Sequence, residues 1–210
     1  QLQLRVVCGP TGSAKTRVLQ ALAAQGEQVL DLEDLAAHRG SVLGSVPGRP
    51  QPTQKAFETQ LMQAMAGFDL SRRVWIEAES RRIGKLTVPE PVLANLRASP
   101  IVEIAASFAA RHSYLLRDYA WLGDDRESFA EKLGTLRELL PKETLAQWQA
   151  WALAGELPQL FEALMRQHYD PLYARSQGRH LAELGRATQV ACDDLSDAGI
   201  AALAARIAAL

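Results

Sequence analysis

Lys15 and Thr16 stand side by side at the end of CGPTGSAKT, residues Cys8 to Thr16. An ammonium and a hydroxyl in that order, behind a glycine-bearing turn, are the working parts of a phosphate-binding loop, G-x-x-x-x-G-K-[ST]. In such a loop a strand ends, the chain curls round an anion, and a helix begins with its N–H groups aimed at it. Gly9, Thr11, Gly12, Ser13 and Ala14 would line the phosphate, Lys15 would add a point charge, and Thr16 would offer its hydroxyl to a Mg2+ ion. Ala14 is the departure, since a glycine usually precedes the lysine. Its methyl is expected to crowd a ligand without abolishing binding, because alanine is at ease in the helical region that opens a helix.

Carboxylates are the second requirement. VWIEAES offers Glu77 and Glu79, and VLDLED offers Asp31 and Glu33. Glu77 ends the most apolar run and is the first choice to share a magnesium ion with Thr16. Asp31 fits a base or a second magnesium contact, whereas Glu33 and Asp34 also fit helix caps. Arg111 and Arg117 in RHSYLLRDY fit arginines that close over phosphates in transfer chemistry. A solvated helix face would carry the same charges. Lys15, Asp31, Glu77 and Arg111 are the candidate catalytic residues. His38, His112, His168 and His180 lack metal-ligand spacing, so no zinc site is expected. His38, beside Arg39 in a glycine-rich segment, is the one histidine singled out. Trp148, Trp151 and Phe161 read as helix packing rather than as a base-stacking platform.

These groups need a frame. QLQLRVVCG reads as a strand ending in glycine, and TRVLQALAAQG as a helix stopped at Gly26. EQVLDLEDLA gives a second strand, followed by a loop rich in Gly, Pro and Ser and then a helix, QKAFETQLMQAMAGF. RRVWIEAES is a third strand, PEPVLANLRAS a short helix with proline in its first turn, and PIVEIAA a fourth strand. Residues 106 to 185 or so read as several helices, ATQVACDD as a fifth strand, and AGIAALAARIAAL as a closing helix with Ile200, Leu203 and Ile207 on one face. The expected fold is α/β: a P-loop NTPase-like parallel sheet of about five strands, helices on both faces, and a helical lid or insertion between strands four and five. One domain is expected to span residues 1–210.

The bulk properties restrict the partners. The chain has 210 residues, 48% of them hydrophobic and 22% charged, which suits a globular domain with a sizeable core. A net charge of −1 supplies no global field toward nucleic acid or membrane, so any RNA contact must come from a local basic patch. Cys8 and Cys192 sit in apolar runs and read as inert core thiols, which suits a reducing cytoplasm. No apolar run approaches the roughly 18 residues of a membrane span, and no membrane partner is expected. The chain starts at Gln1 rather than Met, close to its first strand, which suggests a piece of something longer.

Several stretches together resemble the C-terminal P-loop domain of the bacterial tRNA 2-selenouridine synthases: GPTGSAKT, VLDLEDLAAHRGSVLG, QPTQKAFE, IEAESRRIGKLTVP and YDPLY. The resemblance covers nearly the whole chain, and the later stretches are more specific than the loop. It implies an enzyme that geranylates the wobble 2-thiouridine of certain tRNAs from geranyl diphosphate, then replaces the geranylated sulfur with selenium from selenophosphate. It also implies a rhodanese-like domain normally in the same chain, whose cysteine serves the selenium step. No stretch of these residues resembles that domain, and Cys8 cannot be matched to its cysteine.

Geranyl diphosphate, selenophosphate, ATP and GTP all present the phosphate oxygens a P-loop holds. For tRNA, the basic residues near the carboxyl edge of the sheet are the candidates: Arg39 and Lys55 around the long loop, and Arg81, Arg82 and Lys85 after the acidic strand end. Arg49, in the long loop, fits either this role or ordinary surface charge. A nucleotide or small-molecule kinase, and a tRNA- or nucleotide-binding module without catalysis, share the same loop and sheet. The oligomeric state is left open.

Overall fold

The computed structural model describes residues 2–41, 44, 46, 48–180 and 184–210, and the side chains of all of these except 176–180 and 184. In β1 (Gln3–Cys8), Leu4, Val6 and Cys8 join one apolar cluster while Val7 joins another. A strand buried on both faces belongs inside a parallel sheet. The loop follows, and α1 (Lys15–Ala24) buries Val18, Leu19 and Leu22 along one stripe. β2 (Gln28–Leu30) is short because Asp31 caps a five-residue helix, α2 (Leu32–Ala36). The acidic strand end expected there is therefore a helix start, and its cap ends the strand. The long loop after α2 has residues 42, 43, 45 and 47 outside the described residues.

α3 (Gln54–Ala66) is capped by Thr53 and buries Phe57 and Leu61. β3 (Arg73–Glu77) repeats the pattern of β1, with Val74 and Ile76 on one face and Trp75 on the other. An antiparallel hairpin follows that the sequence did not announce, β4 (Arg82–Ile83) and β5 (Leu86–Thr87), which seats Ile83 and Leu86 in the first cluster. α4 (Glu90–Arg97) leads to β6 (Ile101–Ala105). Between β6 and the next strand run α5 (Phe108–Asp118), α6 (Arg126–Leu133), α7 (Lys142–Ala154), α8 (Leu157–Leu164), a π-helical turn at Met165–Tyr169 and α9 (Asp170–His180). β7 (Thr188–Ala191) and α10 (Asp197–Ala208) complete the chain.

The main sheet has the order β2-β3-β1-β6-β7, and every pairing in it is parallel. Helices α2, α3 and α4 cover one face, and α1 and α10 the other. The insertion has its own core, with Phe129, Leu133, Trp148, Phe161 and Leu164 fully or nearly fully buried. The register matters for chemistry: Val7 pairs with Glu77, so β3 delivers its terminal carboxylate beside the point where β1 enters the loop. Both cysteines are free, but Cys192 lies half-buried just beyond β7 rather than inside a strand. Among the described residues no helix is long and apolar enough to cross a membrane.

Candidate phosphate and cation site

The loop closes on itself through Ser13, whose N–H and hydroxyl both donate to the Pro10 carbonyl, at 3.1 and 2.8 Å. Gly12 takes φ 86°, and a Cβ there would lie 2.8 Å from the Arg111 carbonyl oxygen. Only glycine lets α5 approach the loop that closely. Ala14 is the N-cap of α1 at φ 57° and ψ 26°. This is the left-handed region, not the comfortable helical one expected from the sequence, and the methyl is packed in the cluster beneath α1 and α10. The cost of alanine is thus conformational, about 1–2 kcal/mol. Glycine would relieve it but forfeit about 0.4–1 kcal/mol through the unfolded chain and about 0.8 kcal/mol of methyl burial. Ala14→Gly is therefore expected to change stability by less than about 1 kcal/mol in urea unfolding, with pyrophosphate affinity no weaker. A large loss of affinity would contradict this picture of the loop.

Three carboxylates meet at the loop's exit. Glu33, Glu77 and Glu79 each bring an oxygen within 4.8 Å of the others. Thr16 Oγ1 lies 3.0 Å from Glu33 Oε2 and 3.2 Å from Glu77 Oε2, and Lys15 Nζ lies 3.7 Å from Glu77 Oε1. One hydroxyl hydrogen can serve only one of those two oxygens at a time. A Cβ on Gly40 would fall 2.6 Å from Glu33 Oε1, so the loop after α2 closes down on the same group. Burial, then the charge of Glu77, pushes Glu33 up to about 8. Burial raises Glu77 against the pull of Lys15, and burial together with its two neighbours raises Glu79 further. The donors are all hard oxygens, the set that suits Mg2+.

A stability consequence follows from Glu33. An ordinary glutamate titrates near 4.5 and the folded one near 8, so in that window the folded chain binds more protons than the unfolded chain. Stability is then greatest at the acid end of the window and falls as pH rises through it. Tm of the cation-free chain is expected to drop by several degrees from about pH 5.5 to about pH 8, and Glu33→Gln to flatten the decline.

The other candidate residues fall into distinct places. Asp31 borders the cavity, but its Oδ1 accepts the Asp34 N–H at 2.8 Å, so it caps α2 while Glu33 takes the place among the carboxylates. Arg111 is buried. It forks onto Asp170 at 2.9 and 3.0 Å and donates to the Thr11 carbonyl at 2.9 Å, a strut from the insertion to the loop. Arg117 donates to the Leu195 carbonyl and lies over Tyr114. Arg39 pairs with Asp118 at 2.5 Å and covers the Tyr119 ring at 4.8 Å, which ties the long loop to the end of α5. Lys55 lies exposed on α3, and Arg81, Arg82 and Lys85 lie exposed on and beside the hairpin, outside the cavity lining. Arg49 pairs with Asp34. His38 borders the cavity, its Nδ1 buried without a partner among the described residues; His112 Nε2 donates to the Pro158 carbonyl at 2.9 Å. The side chain of His180 lies outside the described residues.

Gly9, Thr11, Gly12, Ala14, Lys15 and Thr16 of the loop and the acidic residues Asp31, Glu33, Asp34, Glu77 and Glu79 border one cavity of about 630 Å3, whereas Ser13, expected to line the phosphate, is fully buried with its hydroxyl turned onto Pro10. The wall that the insertion contributes is largely apolar or aromatic, with Leu115, Phe161, Leu164, Met165, Tyr169 and Leu172, and carries Asp118 and His168 as polar members. Sequence reasoning did not foresee this wall or the joint position of Glu33 and Glu79. The spacing of Glu77 and Glu79, two apart at a strand end, was the available sign for the latter.

A parallel sheet of this order, with a lysine-bearing loop at the end of its first strand and a carboxylate from the neighbouring strand beside it, defines a P-loop phosphate-binding α/β domain. The family described as "tRNA 2-selenouridine synthase AAA domain" matches residues 2–140. The chain belongs to the tRNA 2-selenouridine synthase family. It is 31% identical to the tRNA 2-selenouridine synthase of Cupriavidus pinatubonensis, over 85% of this chain and 55% of that one. It is 31% identical to the same enzyme of Bdellovibrio bacteriovorus, over 89% and 59% of the two chains. With the enzyme of Nitrosomonas europaea the identity is 38%, over 56% and 31%. The chain spans about half the length of the curated relatives it matches. A sugar kinase from Janibacter sp. HTCC2649 aligns over all of this chain at 13% identity with a TM-score of 0.33, too loose a fit to bear on function.

Proposed function

We propose that this chain is the donor-binding part of a tRNA-modifying transferase, holding geranyl diphosphate for attack by the sulfur of wobble 2-thiouridine. The supporting observation is the two-sided cavity. One wall carries Lys15, Thr16 and the loop, which suit a diphosphate; the other carries six apolar or aromatic side chains, which suit a hydrocarbon chain. A kinase acting on a polar acceptor has no use for the second wall. The sulfur displaces diphosphate at the geranyl carbon, and no phosphoryl group moves. Lys15 and the first N–H groups of α1 stabilise the charge that collects on the leaving group.

Thr16, Glu33, Glu77 and Glu79 would hold Mg2+, which when bound supplies further positive charge to the diphosphate. Selenophosphate fits the loop through the same oxygens and is the donor for the later exchange, a step that involves the rhodanese-like domain implied by the resemblance. The exposed Arg81, Arg82 and Lys85 on the hairpin, with Lys55, form the basic patch proposed for tRNA backbone phosphates, and binding there weakens with salt. A cytoplasmic setting follows from the tRNA substrate. The test is direct: the chain is incubated with 2-thiouridine-containing tRNA, geranyl diphosphate and Mg2+ in the absence of ATP. The expected result is a geranyl mass gain on the thiouridine nucleoside. Transfer of phosphate from ATP to a small acceptor would favour a kinase instead, and tRNA binding without turnover a binding module.

A further inference from the structure

His168 lies in the π-helical turn that joins α8 to α9 and borders the cavity with Leu164, Met165 and Leu172. Turns of this kind are rare and recur at functional positions. The residue is 5% exposed, and its Nε2 is buried with no hydrogen-bond partner among the described residues. Its ring meets Tyr169 edge-on at 4.9 Å between centroids. An apolar side chain of similar size would avoid the penalty of an unpaired buried nitrogen, so the imidazole is kept at some cost to the fold. The turn is also held in place relative to the loop, because Asp170, two residues on, carries the Arg111 strut.

The transfer described above has a proton to lose. In 2-thiouridine the sulfur is doubly bonded to C2, and N3 bears a hydrogen. The sulfur forms a bond to the geranyl carbon, whose bond to the diphosphate oxygen breaks with its electron pair leaving on diphosphate. The N3–H pair becomes the second bond between C2 and N3, C2–S becomes single, and one proton is released to a base. Resting on that reading of the donor, we propose that His168 Nε2 is the base that accepts the N3 proton of the thiouridine acceptor. The ring is suited to it: burial first, and the charge of Arg175 second, favour the neutral imidazole. With its own hydrogen on Nδ1, it presents the Nε2 lone pair.

The experiment follows the imidazole signals of His168 by NMR in the 210-residue chain, assigned with His168→Gln, as a 2-thiouridine anticodon stem-loop is added. In parallel, geranyl transfer is measured for the parent chain, His168→Gln and His168→Ala. The expected result is a shift of the His168 signals. With it come a loss of about 100-fold or more in kcat with KM for geranyl diphosphate nearly unchanged, partial rescue of His168→Ala by added imidazole, and an unchanged or higher Tm. Unmoved signals, transfer indifferent to both substitutions, or a loss matched by a lower Tm and not rescued by imidazole would each overturn the proposal. Shifted signals in a parent chain that transfers no geranyl group would support the contact of His168 with the acceptor and refute the donor assignment instead.

Discussion

Lys15→Met is expected to weaken pyrophosphate binding by about 100-fold or more. A hydrogen bond to a charged group contributes about 1.5–3 kcal/mol, and each 1.4 kcal/mol or so is a factor of ten. Those terms alone give about one to two orders of magnitude. The neighbours add to the loss. Lys15 lies 3.7 Å from Glu77, and its charge also lowers Glu33 and Glu79. Without it an incoming anion meets the acidic cluster with no ammonium from the loop. The same substitution is expected to steepen the fall of Tm with rising pH, since the glutamates are then pushed up without opposition. Calorimetric titration with pyrophosphate in the presence of Mg2+ measures the first effect. An affinity within about threefold of the parent would mean that the loop's main-chain donors do the holding unaided.

Arg111→Met is expected to destabilise the chain by about 3 kcal/mol, the lower end of the range for breaking a buried ion pair, because Asp170 is 30% exposed while the Arg111 side chain is 8% exposed. For a chain of this size that corresponds to a fall in Tm of about 6–12 °C. The variant also frees the Thr11 carbonyl, so phosphate affinity is expected to fall although Arg111 need not touch the ligand. Asp170→Asn separates the two roles considered for this arginine. If it acts as a strut, loosening its partner disturbs the loop and weakens pyrophosphate binding. Were it a phosphate clamp held in reserve by Asp170, the same change would strengthen binding.

The fold was legible where periodicity and punctuation agreed. β1, the loop and α1 follow from an apolar run, a glycine-bearing turn and a helical stripe, and strands alternating with helices along the chain announced a parallel sheet covered on both faces. The misses are local. LEDLA is too short to show a helical stripe, so α2 was absorbed into the preceding strand. The strands of the hairpin have two residues each, below any useful period. At the site, Lys15, Thr16 and Glu77 were recognisable because their roles are set by neighbours in sequence or in register. Asp31 was set at the site and Glu33 read as a possible cap, the reverse of what is found, because which of two nearby acids caps a helix depends on where that helix starts. Arg111 reads as a phosphate-closing arginine or a helix-surface charge, and its place as a strut shows only once its partner, distant in the chain, is in position. His168 carried no signal, because its burial and its unpaired nitrogen are products of the insertion's packing.

The contact between Gly12 and α5 bears on how far the insertion can move without opening the loop. Since the first helix of the insertion is pressed against the loop at Gly12 and bolted to Thr11 through Arg111, it behaves as a doorpost, fixed to the frame. Helices α6 and α7 lie beyond the short turn at Ala120–Gly123 and outside the cavity lining, so movement confined to them would leave the loop's grip on what it holds undisturbed.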